Sequence, residues 1–163
     1  MSLEIRLTKI EELPALMEIF AQARQFMREH GNPNQWGDSR PTEQAVRTDI
    51  EAGQSYVCIE AGQIAATFCF STYADPTYAR IDGGAWLDER PYGVIHRIAA
   101  SGTVRGAAAR CIEWCFAQCG NLRIDTHEDN APMRSLLAKQ GFEHCGTIYL
   151  ADGSPRLAFQ KNQ

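Results

Sequence analysis

The stretch that decides the fold is Tyr92–Arg110, YGVIHRIAASGTVRGAAAR. Val94, Ile95, Ile98, Ala99 and Ala100 form a near-continuous apolar run, the pattern of a strand covered on both faces. Ser101-Gly102 is turn chemistry. Arg105-Gly106 then opens a helix that continues through AAARCIEWCFAQC. The first N–H groups of a helix have no intrahelical partner, and the helix dipole favours an anion beside them. Between Val94 and Arg110 stand Arg97, Arg105 and Arg110 and no acid, in a chain whose net charge is −4. The sequence therefore predicts a local positive field at a helix start, suited to a diphosphate.

Outward from this stretch, the elements can be read in order. Glu4–Leu7 is a short strand. Residues 11–30 form an amphipathic helix with Leu13, Leu16, Phe20, Ala23 and Met27 on one stripe and Thr8 as its N-cap. Residues 43–51 form a second helix, after Pro41-Thr42. Residues 56–59 and 64–71 make an antiparallel hairpin around Ala61-Gly62. Thr77–Ile81 reads as strand-compatible within a long connection. After the central helix Gly120 is a stop. Asn121–Thr126, NLRIDT, is a strand with Leu122 and Ile124 on one face. Residues 131–140 form a helix with Pro132 early in it. Residues 142–149 and 155–160 are strands joined through Asp152-Gly153. The central strand and NLRIDT flank one helix, so a parallel crossover is expected there.

Composition narrows the class. The 163 residues suit one domain, 1–163, with a single core. The pI of about 5.6 argues against general binding of nucleic acid or an anionic membrane. No apolar run is long enough to span a bilayer and no signal peptide precedes the first strand, so the expected location is the cytoplasm. Six cysteines then read as reduced thiols. Cys111, Cys115 and Cys119 recur every fourth residue on one helix face and lack zinc-knuckle spacing, which favours small buried hydrophobes over a metal site. No metal is expected.

The segment IHRIAASGTVRG resembles motif A of the GNAT superfamily, the acyl-CoA-dependent N-acyltransferases. Asn130–Phe142, NAPMRSLLAKQGF, is similar to that family's motif B. The resemblance implies an α+β domain with a mixed, mostly antiparallel sheet of about seven strands and four helices. Two adjacent parallel strands would splay around the cofactor, acetyl-CoA. It implies that Ile98, Ala99 and Ala100 run beside the pantetheine arm, with backbone groups of Ile98 and Ala100 pairing to it like an added strand. Arg105, Gly106, Ala107, Ala108 and Arg110 would surround the pyrophosphate, and Asn130 would hold the cofactor or cap its own helix. The sequence departs from the family pattern where Ala108-Ala109-Arg110 replace a Gly-x-Gly/Ala run.

The resemblance also leaves the proton-transfer groups open. The central strand carries no carboxylate. His96 is the titratable residue that fits a general base there, against the plainer reading of a packed strand histidine. His127, after the neighbouring strand, is the second candidate. Leu137 stands where the family often has a thiol-protonating Tyr. Trp36, Trp86 and Tyr92 are the candidate acceptor-binding residues, and each reads equally as a packed aromatic. The expected activity is N-acetyl transfer to a small-molecule amine or a peptide. The alternative is a catalytically silent acyl-CoA-binding or sensing module. Oligomeric state is not readable from the sequence; exposed strands of this architecture often pair in dimers of the family, which leaves a homodimer open.

Overall fold

Seven strands form one sheet in the computed structural model, which describes residues 3–163. In chain order the elements are β1 (Glu4–Leu7), α1 (Leu13–Glu29), α2 (Glu43–Glu51), β2 (Ser55–Glu60), β3 (Gln63–Ser71) and β4 (Gly93–Ala100). They continue as α3 (Ala107–Cys119), β5 (Asn121–Thr126), α4 (Ala131–Lys139), β6 (Glu143–Tyr149) and β7 (Pro155–Asn162). The sheet order is β1-β2-β3-β4-β5-β7-β6. β4 and β5 run parallel, joined by the α3 crossover, and the other neighbours are antiparallel.

Strand alternation distributes the apolar residues to two faces. On one face Cys58, Ala66, Phe68, Ile95, Leu122 and Ile124 pack under α3 and α4 with Cys111, Ile112, Cys115 and Leu137. On the other, Val57 and Ala99 meet Leu13, Leu16, Ile19 and Phe20 of α1 and Val46 of α2. Further along that face, Val94, Ile148 and Ala158 are covered by Tyr78. The helix cysteines are core residues: Cys111 and Cys115 are fully buried, and burial pushes both thiols well above their ordinary titration. No helix among the described residues is long and apolar enough to cross a membrane.

Local chemistry corrects three expectations. Thr8 does not cap α1; its hydroxyl bonds Ser55 Oγ at 2.8 Å and so ties β1's end to β2. The helix is instead preceded by a 3-10 turn, Ile10–Glu12, where Glu12 accepts from the Lys9 N–H (2.7 Å) and from Arg6 (2.8 Å). Thr77–Ile81 forms no strand. Asp75 accepts from the Thr77 N–H at 2.8 Å and caps a 3-10 turn, Pro76–Tyr78, and Asp82 alone bridges to Thr147. α3 begins at Ala107 rather than Arg105, because Gly106 takes φ +78°, a left-handed angle suited to glycine.

The long connection between β3 and β4 is pinned by one carboxylate. Asp88 accepts from the side-chain amides of Asn162 (2.7 Å), Asn121 (3.1 Å) and Gln160 (3.3 Å). Gln160 is fully buried, and its own Oε1 accepts from the Leu87 N–H at 2.8 Å. Removing the carboxylate leaves buried amide donors short of an acceptor, at roughly 1–3 kcal/mol for an unsatisfied buried group. Asp88→Ala is therefore expected to lower unfolding stability by about that amount in urea denaturation, with Asp88→Asn losing less.

Candidate active site

The site is made by a strand pair that parts. β4 and β5 are in register only at Gly93–Leu122 and Val94–Arg123. Packing leaves no room for a side chain at Gly93: a Cβ would lie 2.8 Å from the Phe70 ring of β3 and 2.9 Å from Cys119 Sγ of α3. Beyond this point β4 is bent by a bulge. Thr67 faces Ala99 and Cys69 faces His96, so Arg97 and Ile98 together oppose Phe68. Bulges bend a strand and re-aim its side chains. Arg97 sits at φ +51°, and its guanidinium is clamped by Asp49 of α2 at 2.7 and 2.8 Å. Arg97 therefore does not belong to the positive field expected at the α3 start; its charge is matched on the opposite face of the sheet.

Two cavities open from the splay. A groove of about 440 Å³ runs between α1, the end of β4 and α4, and is lined by Phe26, Ile98, Ala99, Ala100, Ser101, Gly102, Ala108 and Leu136 among others. A second cavity, of about 420 Å³, is lined by Trp36, Arg40, Asp75, His96, Asp125, Thr126 and Arg156 among others. Met27, Ile98, Asn130 and Met133 line both, so the two spaces meet where the strands diverge.

The expected cofactor residues fall at the groove and its α3 end. Ile98, Ala99 and Ala100 line the groove wall on the length of β4 that has no β5 partner, and Ala108 of α3 lines it beside them. The first intrahelical bond of α3 runs from the Arg110 N–H to the Gly106 carbonyl at 3.1 Å, and no side chain caps the earlier amides. Ala107 is buried in the core, while Arg105 and Arg110 are exposed at this end. Asn130 caps α4, accepting from the Met133 N–H at 3.2 Å, and donates to Gln35 Oε1 at 2.9 Å.

His96 reaches the second cavity with a carboxylate behind it. Its Nε2 lies 2.7 Å from Asp75 Oδ2. Asp75 Oδ1 accepts from the Thr77 N–H (2.8 Å) and hydroxyl (2.6 Å). Burial works against the Asp75 charge, yet the bonds from His96 and Thr77 outweigh it and hold the carboxyl at about 2. An ionised carboxylate only accepts, so Nε2 carries the proton and Nδ1 is the basic nitrogen. Deeper in, Tyr78 donates to Asp125 Oδ1 at 2.6 Å, and burial pushes both groups upward.

Other candidates lie elsewhere. His127 lines neither of these cavities; its Nδ1 accepts from the Asp129 N–H at 3.0 Å in the turn after β5. Trp86 and Tyr92 sandwich the Arg123 guanidinium, 4.1 and 4.0 Å from the ring centroids, on the far side of Tyr78 from the splay. The Tyr92 hydroxyl accepts from the Asp75 N–H at 3.1 Å, so it positions the residue that positions His96. Trp36 does line the cavity and packs edge-on against Phe20, with centroids 5.6 Å apart. Leu137 is fully buried and offers no proton.

Residues 13–142 match the profile of the Acetyltransferase (GNAT) family. A GNAT-family acetyltransferase from Streptococcus agalactiae is 32% identical, with a TM-score of 0.90 over 99% of this chain and 95% of that one. The chain belongs to the GNAT acetyltransferase family. The GNAT fold is shared at lower identity with a ribosomal-protein-alanine N-acetyltransferase from Brucella melitensis (20%, TM-score 0.65, 98% and 99% of the two chains). It is shared too with the yncA protein of Salmonella typhimurium, solved with its cofactor acetyl-CoA (14%, TM-score 0.66, 99% and 94%). No functionally curated protein matches the sequence.

The GNAT motifs located the groove, but the sequence reading missed Asp75, Asp125 and Arg156. Asp125 carried a signal. With Leu122 and Ile124 on the helix face of β5, the alternation sends Arg123 and Asp125 to the other face. Asp75 carried only a turn signal, and nothing local joins it to a histidine 21 residues on. Among the described residues, no group of three or more His, Cys, Asp or Glu side chains is arranged to hold a metal.

Proposed function

We propose that the protein transfers the acetyl group of acetyl-CoA to a primary amine, with His96 as the general base. The observation that carries this is the His96–Asp75 pair, set where β4 leaves β5 and facing a cavity that joins the groove. The groove fits an extended thioester arm. One edge of β4 from Ile95 to Ala100 lacks a strand partner, and the uncapped start of α3 with Arg105 and Arg110 suits a pyrophosphate. Ala107 turns its methyl into the core, so only Ala108 adds bulk at the groove. When bound, acetyl-CoA supplies the activated thioester.

The protein's part is positioning and proton transfer. The amine enters from the Trp36 side and gives a proton to His96 Nδ1 as its nitrogen forms the new C–N bond and the C–S bond breaks. Asp75 stabilises the resulting imidazolium and fixes the tautomer. With Leu137 buried at the place of a tyrosine, the departing thiolate takes its proton from water. A silent binding module would have no use for a buried carboxylate that orients a cavity histidine, which favours the enzyme reading. We place the reaction in the cytoplasm, where the free cysteines stay reduced.

Thermal unfolding tests the cofactor half of the proposal. At 100 times its dissociation constant, acetyl-CoA is expected to add roughly 2.7 kcal/mol and raise the midpoint clearly. Free CoA should do the same and ATP should not. No shift with either CoA species would show that the groove does not bind this cofactor.

A further inference from the structure

The larger question at this site is the acceptor, and the cavity holds a cation that no carboxylate meets. Arg156 on β7 is 5% exposed and lines the cavity. Its guanidinium donates to the carbonyls of Pro155 (2.9 Å) and Gln35 (3.0 Å). A guanidinium has five N–H donors, so three remain without a protein acceptor among the described residues. It takes part in none of the ion pairs formed by those residues. Asp125 and Asp152 act on it only from a distance; Asp125 Oδ1 is held by Tyr78, and Asp152 Oδ1 by the Ser154 N–H.

Leaving a buried cation uncompensated is unfavourable, and such a group ordinarily has a partner. One neighbour points to where that partner belongs. Arg40 adds a second positive charge at the rim. The same cavity carries Asp75, His96 and Asp125, and Asp125 feels the charges of both His96 and Arg156.

We infer that the acceptor is a free amino acid, whose carboxylate is gripped by the Arg156 fork while its amine faces His96. The assignment of the reacting end rests on the acetyltransferase reading above; the assignment of the anionic end rests on Arg156. Arginine matches a carboxylate through two parallel N–H bonds, a geometry lysine cannot supply. A peptide continuing from that carboxyl group would forfeit the ion pair.

Titration calorimetry on the protein saturated with CoA tests this, using the common L-α-amino acids and the carboxamide of each one that binds. At least one amino acid should bind, with its carboxamide weaker by about ten- to a hundredfold. Arg156→Lys keeps the charge and the fold but loses the fork, and should remove most of that preference. Equal binding of acid and amide, or no binding of any amino acid, overturns the inference. Release of free CoA thiol, followed in parallel with acetyl-CoA, separates the two readings. Carboxylate preference without thiol release leaves the amino-acid site standing and removes the transferase. Thiol release with equal use of acid and amide does the reverse.

Discussion

His96→Ala is expected to lower kcat by about 10²–10⁴-fold, the usual contribution of a positioned general base, with little change in acetyl-CoA affinity. The split follows from the geometry. His96 lines the second cavity and not the groove, so cofactor binding should survive while amine deprotonation is lost. Asp75→Asn should preserve the packing and yet remove the anion that fixes the Nε2–H tautomer. Its kcat should fall in the same direction, by less than the histidine variant. Asp75 is held at about 2, so its carboxylate is ionised throughout the neutral range. A plain packing role for His96 would leave the pH dependence of kcat/KM unchanged in Asp75→Asn; the general-base role moves it. Steady-state kinetics across pH 6–9, the range around roughly neutral histidine titration, distinguish them.

Asp49→Ala carries the largest expected stability effect. Truncating one partner of a buried ion pair costs about 3–5 kcal/mol, because the other charge is left behind. Arg97 has a side chain 32% exposed, so solvent tempers the loss to roughly 2–4 kcal/mol. That is a large part of the ~5–15 kcal/mol that holds an ordinary domain together. Arg97 is also the bulge residue at φ +51° that bends β4 beside His96. The variant should therefore unfold at lower denaturant and also show a smaller acetyl-CoA midpoint shift. Asp49→Asn, which can still accept one bond, should lose less on both counts. Chemical denaturation and thermal unfolding of the two variants check this.

The same residues show where a single sequence stops being legible. The core of the fold was written locally. The apolar run of β4, the helix after Gly106, the alternation of β5 and the Asp152-Gly153 turn each specify an element from within. What the order of elements could not specify was the seat of β7 between β5 and β6, since a hairpin can present either strand to the sheet. The site followed the same division. One wall of the groove is built from near-contiguous residues, Ile98 to Gly102 with Ala108, and the motif falls on that wall. The second cavity is assembled from several separate segments, and its chemistry depends on pairs such as Asp75–His96 and Gln35–Arg156 that no spacing rule joins. Arg97 misled because a strand arginine next to a phosphate motif looks like part of it, until a bulge turns it to the other face. Trp86 and Tyr92 misled because an aromatic near a site suggests a binding wall, whereas here both rings stack on Arg123.

In the proposed reaction the splay of β4 and β5 brings an acetyl thioester to an amine beside His96. The most direct test is the amine-dependent release of CoA thiol from acetyl-CoA by the purified protein, measured over a broad panel of amino acids and other primary amines. Release above the no-amine background is expected with at least one amine, and loss of that release in His96→Ala. Acetyl-CoA that stabilises the protein but is consumed with no amine in the panel would contradict it.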